Sequence, residues 1–587
     1  MSQDRLQALR GELKRQGVEA FLVPRADEYQ NEYVPAADER LSWITGFTGS
    51  AGMAVISQRE AALFVDGRYT LQGEQQIGDQ PIELENLDGQ AIAAWVCDQL
   101  REGQSLGFDP RLHTEPGLAL LKKRLAERDI SLRPLEQNPI DAVWRDRPHP
   151  PCGAARPHPL VFTGEHSREK RQRIAGLLAE KRVDALWLPN PESCAWLFNI
   201  RGDDIPHLPV ALANAVLYQD GSATLYLAEQ AIGEGVLEHL DHEVILVSEK
   251  GQLFEDLRRR HANKIWVDAS ISNCWTLQQL RELDLQLLLE RDPVIEAKAC
   301  KNSVELAGSR AAHERDGAAL CEFLCELPSA VQNGLDELSA VQLLYSKREE
   351  REGFRGNSFE TISGYGPNGA IVHYRVSDQS SLAMKAESIY LCDSGAQYPD
   401  GTTDVTRTVA LGKFPAPAKE HFTRVLKGHI AIATLRFPLG TCGEQIDAIA
   451  RRSLWEAGLD YAHGTGHGVG SFLSVHEGPQ RIGKVATGVA LQLGMILSNE
   501  PGFYLTGQYG IRIENLVFVK ESADYIGFLE FEELTLAPID HRLIDVELLT
   551  KKELDWLNRY HQRVRDTITP LVNEKTAEWL QKATEAL

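Results

Sequence analysis

The chain reads as a multidomain α/β and α+β protein: two α/β domains of like design, then one larger α+β domain. Three observations predict this. Gly17-Val-Glu-Ala-Phe-Leu-Val-Pro24 is echoed by Arg182-Val-Asp-Ala-Leu-Trp-Leu-Pro189. Seven prolines crowd residues 134–159, between the two copies. From Ile389 to Phe518, carboxylates recur in a doubled strand, turn, strand pattern with histidines between. A length of 587 residues exceeds one ordinary core and allows roughly four domains.

Each copy of the repeat opens with an amphipathic helical stretch, carried by Leu6, Leu9 and Leu13 in one and Ile174, Leu177 and Leu178 in the other. A tryptophan segment follows each apolar strand, Trp43-Ile-Thr-Gly-Phe-Thr-Gly49 against Trp196-Leu-Phe-Asn-Ile-Arg-Gly202. Short strands then recur, Met53-Ala-Val-Ile-Ser57 and Ala61-Leu-Phe-Val65 against Ala215-Val-Leu-Tyr218 and Ala223-Thr-Leu-Tyr-Leu227. Helices alternating with strands indicate α/β domains, here over 1–138 and 161–297. The proline density predicts an extended linker over 139–160, because proline blocks helix interiors. Past a boundary near Asp292-Pro293, Asn302-x-x-Glu305 can cap a helix through Leu306 and Ala311, which opens a third domain over 298–587. Its tail has a second capping box, Thr550-x-x-Glu553, before a helix with Leu554, Leu557, Tyr560 and Val564 on one packed face.

Composition excludes several classes. Apolar residues make up 43% of the chain, with ten Trp and fifteen Tyr, which is globular rather than disordered. A net charge of −22 argues against nucleic acid or an anionic membrane as partner. No apolar run reaches membrane-spanning length, and Met1 to Gly17 lacks the apolar core of a signal peptide. Nine scattered cysteines and no N-x-S/T acceptor fit a reducing compartment, so the expected location is cytoplasmic.

The chemistry concentrates in the third domain. Ser388-Ile-Tyr-Leu-Cys-Asp393 reads as a strand ending in a carboxylate, followed by the turn Pro399-Asp-Gly-Thr402 and a strand from Asp404. Alternation sends Cys392 to the opposite face from Asp393 and excludes it as a ligand. Leu497-Ser-Asn-Glu500 and Ile511-Arg-Ile-Glu514 repeat the plan around a turn at Gly507 to Gly510. Between the hairpins lies His463-Gly-Thr-Gly-His467-Gly-Val-Gly470, then His476-Glu477-Gly478-Pro479. Four glycines make a helical zinc pair improbable on propensity, and the spacing does not match G-x-G-x-x-G. An extended loop remains, in which His463 and His467 share a face. Asp393, Asp404, His467, Glu500 and Glu514 are therefore candidate metal ligands. Four carboxylates with a neutral imidazole carry a formal charge of −4, which two divalent cations would balance. Such a pair polarises a carbonyl and activates water near neutral pH.

These segments, with Val475-His-Glu-Gly-Pro479, Asn499-Glu-Pro-Gly502, Ile511-Arg-Ile-Glu-Asn515 and the tail Phe531-Glu-Glu-Leu-Thr-Leu-Ala-Pro538, resemble the pita-bread metallopeptidase family. The closest likeness is to its large three-domain cytosolic branch of aminopeptidase P type, and it covers nearly the whole chain. The resemblance implies two creatinase-N-like α/β domains ahead of a pita-bread catalytic domain. It implies two divalent ions, most often manganese, with zinc or cobalt also compatible with mainly oxygen ligands. Asp393 would bind one ion, His467 and Glu500 the other, with Asp404 and Glu514 bridging. His373 would lie on the substrate wall and Arg68, in Asp66-Gly-Arg-Tyr69, would reach the substrate.

The activity so implied is removal of the N-terminal residue from peptides with proline second, by a metal-bridged hydroxide. Glu500 would act as general base and then acid, and His463 and His476 would donate to the oxyanion. His373 and His476 would contribute to proline selection, and the free amino terminus would meet the anionic end near Asp393. The family implies a homodimer. The alternatives are a prolidase restricted to X-Pro dipeptides and, in a different class, a non-catalytic pita-bread binding protein.

Overall fold

The computed structural model describes residues 2–248 and 250–587. The chain forms two compact units, Met1–His158 with Glu165–Val294, and Pro159–Gly164 with Ile295–Leu587.

The first unit contains two six-stranded sheets of one topology. In one the spatial order is Glu83–Asn86, Ala61–Val65, Met53–Ser57, Ala20–Pro24, Ser105–Phe108, Ser131–Pro134. In the other it is Val244–Val247, Ala223–Tyr226, Asn214–Tyr218, Ala185–Leu188, Lys264–Val267, Gln286–Leu289. Corresponding neighbours pair in the same parallel or antiparallel sense in both sheets. Ala20–Pro24 and Ala185–Leu188 are buried along their whole length, as central strands covered on both faces must be. The repeat read from the sequence is thus a repeat of architecture. The helix Ser2–Gln16 buries Leu6, Leu9 and Leu13, whereas Ser167–Lys181 buries Ile174 and Leu178 but leaves Leu177 36% exposed. The modules are tied by Asn273 Nδ2 donating to the Glu28 carbonyl at 2.9 Å and by an Arg281–Glu115 ion pair.

The proline-rich stretch is not uniformly extended. Pro139–Val143 is a short helix, capped by the Asn138 side chain and with proline in its first turn. Proline is tolerated there because the first helical N–H has no intrahelical acceptor. Ile140 and Trp144 anchor this segment in the core of the first module.

In the second unit the long helix Ser303–Gln332 starts at the Asn302/Glu305 box, and Lys551–Ile568 starts at the Thr550/Glu553 box. The latter buries Leu557, Tyr560 and Val564, with Leu554 at its margin. A three-stranded sheet joins Ile362–Tyr365, Ile389–Ser394 and Val405–Ala410. A six-stranded sheet runs Arg436–Pro438, Phe528–Glu533, Asn515–Glu521, Ile496–Asn499, Gly466–Gly468, Glu477–Ile482. The helices Pro417–Ala433 and Gly443–Trp455 pack behind them, their apolar faces filling cores around Ile430, Leu454, Ile446 and Phe437.

Candidate metal centre

Two hairpins position the carboxylates. Ile389–Ser394 pairs antiparallel with Val405–Ala410 in a register that sets Asp393 opposite Thr406 and Ser394 opposite Val405. Asp404 therefore stands one residue past the ladder, beside Asp393. Cys392 packs with Tyr390, Val405 and Val409 on the apolar side, as alternation requires. In the second hairpin Ile496–Asn499 pairs with Asn515–Glu521, and Asn499 lies opposite Asn515. Glu500 and Glu514 thus also leave the ladder together. A small ribbon bridges each pair of carboxylates, Gln397–Tyr398 with Gly401–Thr402 in one and Gly502–Leu505 with Tyr509–Arg512 in the other. The hairpins meet through Glu514 N donating to the Thr406 carbonyl at 3.2 Å and Arg512 N donating to Thr408 Oγ1 at 3.1 Å.

His467 enters from the strand Gly466–Gly468. Its Nε2 lies 3.5 Å from Asp404 Oδ2 and 3.6 Å from Glu500 Oε1. Asp404, His467 and Glu514 offer ligand atoms that all lie within 4.8 Å of one another. The flanking glycines have a steric cause. A Cβ on Gly466 would fall 1.9 Å from the Ser498 carbonyl oxygen, and one on Gly468 would fall 2.1 Å from that of Glu477. The strand can lie this close to its neighbours only without side chains at those positions.

The electrostatics call for cations. Asp393, Glu500 and Glu514 are pushed above the ordinary carboxylate range chiefly by burial. Asp404 adds to the rise in all three, Asp393 adds to it in both glutamates and Glu500 in Glu514, while Arg512 pulls Asp393 down and His467 and Arg512 pull Glu500 down. Burial disfavours the imidazolium of His467, yet Asp404 and Glu500 outweigh it and raise that group to about 9. Asp393 Oδ1 and Asp404 Oδ1 are buried and accept no hydrogen bond. Orphaned oxygens and mutually repelling carboxyls around one imidazole are what a cation pair would satisfy, so the residues fit divalent metal.

The other expected residues are placed as follows. His463 Nε2 is 2.8 Å from the Tyr504 hydroxyl, and its Nδ1 is 3.9 Å from Glu500 Oε2, so His463 and His467 do flank the same glutamate. His476 stacks edge-on against His467, with centroids 4.4 Å apart at 87°. His373 lies in a turn whose preceding residue, Val372, presents its carbonyl 3.5 Å from Arg512 Nη1. Arg68 belongs to the first unit, where it makes a two-point ion pair with Asp66 at 3.0 and 2.6 Å.

Sequence reasoning missed Arg512. Its Nη2 donates to Asp393 Oδ2 at 2.5 Å, Nη1 to the Tyr504 hydroxyl at 2.6 Å and Nε to Thr406 Oγ1 at 3.1 Å. Thr406 in turn donates to Glu514 Oε2 at 2.6 Å. A signal existed: residue 512 lies two before Glu514 in an alternating segment, hence on the same face. Arg512 offsets one of the four carboxylate charges and fixes the Asp393 rotamer.

Models of known families match the chain throughout. Metallopeptidase family M24 covers residues 307–521 and its C-terminal region 527–587, while two Creatinase/Prolidase N-terminal domain models cover 5–142 and 146–305. A probable Xaa-Pro aminopeptidase P of Aspergillus fumigatus is 41% identical over 603 residues, covering 99% of this chain and 92% of that one. Aminopeptidase P1 of Arabidopsis thaliana is 36% identical over 624 residues, covering 97% and 96%. The crystal structure of X-prolyl aminopeptidase from Caenorhabditis elegans, described as a cytosolic enzyme with a di-nuclear active site, superposes with a TM-score of 0.94 at 31% identity over 100% of both chains. Two like α/β modules, a doubled carboxylate hairpin and full-length similarity lead to one assignment: the chain belongs to metallopeptidase family M24, in its group of Xaa-Pro aminopeptidases P with creatinase/prolidase N-terminal domains.

Proposed function

We infer that this chain removes the N-terminal residue from peptides whose second residue is proline. The observation that carries the reading is the convergence of Asp404, His467 and Glu514, with Asp393 and Glu500 beside them, in a chain similar end to end to aminopeptidases P. Asp393 would hold one divalent ion, His467 and Glu500 a second, and Asp404 and Glu514 both. Manganese is the proposed pair, and zinc or cobalt would also suit the oxygen-rich set. When bound, such a pair supplies Lewis acidity toward the scissile carbonyl and a lowered pKa for water.

The protein's own groups do the rest. Glu500 takes a proton from the attacking water and delivers it to the prolyl nitrogen as that bond breaks. His463, held by Tyr504, and His476, braced on His467, donate to the carbonyl oxygen as it gains charge. Arg512 keeps Asp393 aimed at the anionic end, where the substrate's amino terminus would be met. His373 and His476 would contribute to the proline pocket, and Arg68 would add a substrate contact.

No helix among the described residues is long and apolar enough to cross a membrane, and a cytoplasmic homodimer is the proposed state. A prolidase restricted to dipeptides is the second reading; the full-length match, doubled module included, favours the aminopeptidase. The deciding experiment is cleavage of an X-Pro-X tripeptide after chelation and readdition of manganese. Activity that returns with metal supports the reading; cleavage of X-Pro dipeptides alone would make the protein a prolidase. No cleavage of either, with two ions bound per chain, would leave a binding protein.

A further inference from the structure

Glu337 is the first residue of the helix Glu337–Glu349, and its side chain is fully buried in the second unit. Its hydrogen-bond donors are all neutral. Tyr365 N donates to Oε1 at 2.6 Å, and Asn368 Nδ2 reaches Oε1 at 3.1 Å and Oε2 at 2.9 Å. The Tyr374 hydroxyl and Leu382 N donate to Oε2 at 3.0 and 2.9 Å. A buried carboxylate is retained only where its oxygens are satisfied, and here one loop supplies every donor. Those donors stand at the start, middle and end of residues 365–382, where past the strand end at Tyr365 the regular structure is one short turn, Gly366–Ala370. Asn368 Nδ2 donates to the Tyr374 hydroxyl at 2.8 Å, and the Ser380 carbonyl, 3.1 Å from that nitrogen and 2.9 Å from that hydroxyl, competes with Glu337 for their protons. The carboxylate acts as the hub of the loop.

The far side of this loop meets the metal centre. A Cβ on Gly510 would fall 1.7 Å from the Gly369 carbonyl oxygen, so turn and ribbon touch backbone to backbone. Val372 O lies 3.5 Å from Arg512 Nη1, the arginine that holds Asp393. His373 sits between Val372, at the Arg512 contact, and Tyr374, at the Glu337 contact.

We propose that Glu337 is a positioning residue that sets where His373 meets the substrate, by pinning the loop 365–382 from behind. The inference rests on reading His373 as part of the substrate wall.

The test uses the full-length manganese enzyme and an X-Pro-X tripeptide. Glu337→Gln keeps the shape but exchanges one acceptor oxygen for a donor that faces other donors. KM should rise ~tenfold with kcat changed less than ~threefold, the signature of lost binding rather than lost chemistry. Tyr374→Phe removes one donor and should raise KM about threefold, and it keeps the test open if Glu337→Gln does not fold. Trypsin should cut after the exposed Arg375 at least ~tenfold faster in Glu337→Gln, a readout independent of activity. In a His373→Ala background, Glu337→Gln should add nothing further to KM. Wild-type KM and wild-type proteolysis in both variants, or fully additive effects in the cycle, would overturn the proposal. Failure of the parent reading looks different: His373→Ala alone would leave the kinetics unchanged, and the faster cut at Arg375 would then report a loop pin without a substrate role, overturning the link to His373.

Discussion

The hairpin Ile389–Ala410 and the hairpin Ile496–Glu521 share a plan: two antiparallel strands, a ligand at each strand end and a two-stranded ribbon between. They are loaded differently. The first supplies two aspartates, short side chains held close to the backbone. The second supplies two glutamates, which reach further, and the arginine that crosses back to grip Asp393. The second places a carboxylate, Glu500, near both His463 and His467, and the first brings Asp404 to within 3.5 Å of His467. The duplicated backbone creates the enclosure, and the unequal side chains divide it into an end where Arg512 grips Asp393 and an end where Glu500 lies beside two histidines.

The largest expected effect tests that division. Glu500→Gln should lower kcat by roughly 10²–10⁴-fold with the melting temperature nearly unchanged, since a general base contributes on that scale. An active variant would erase the distinction between the hairpins. Asp393→Asn should instead appear first as lost metal, read by elemental analysis per chain. Next comes the cross-brace: Arg512→Met should cost about 10–100-fold in metal affinity or kcat/KM, as groups supporting a ligand do. If Arg512 is dispensable, the hairpins are independent and the brace is packing alone.

A third test removes the ions and follows stability against pH. His467 has a folded-state value of about 9 against an ordinary 6.5, so its contribution is fully present below pH 6.5 and is lost as pH rises through 9. Asp393, Glu500 and Glu514 are also raised, so their contributions likewise fade as pH climbs above the ordinary carboxylate range. The chelated protein should therefore melt at progressively lower temperature between pH 6.5 and 9, and manganese should flatten that slope because it binds the native state alone. A chelated protein equally stable at both values would contradict the assigned electrostatics. The smallest effect is Arg68→Ala, expected to raise KM a few-fold, by about 1 kcal/mol of binding, at unchanged kcat. Unchanged kinetics would leave Arg68 as the surface partner of Asp66.

Much of this was legible in the chain. The echo of Gly17–Pro24 in Arg182–Pro189 predicted two like modules, and both sheets have the same strand order. Two capping boxes marked helix starts at 303 and 551. Proline density hides the Pro139–Val143 helix, because proline bars helix interiors while the first helical turn accepts it. Helical spacing groups Leu177 with the buried Ile174 and Leu178, yet it lies at the edge of that apolar face and stays partly exposed.

The five candidate ligands, the grouping of the four carboxylates in two hairpins and the turning of Cys392 to the opposite face from Asp393 followed from the sequence by itself, because strand alternation and turn residues are local properties with a fixed period. Tertiary structure alone decided that Arg512 grips an aspartate 119 residues away, that Gly466 and Gly468 are there to admit neighbouring carbonyls, and that Glu337 holds the loop of His373. Such pairings depend on which faces distant segments turn toward one another once buried. That is set by packing and by the cost of leaving a buried charge unsatisfied, neither of which has a period along the chain.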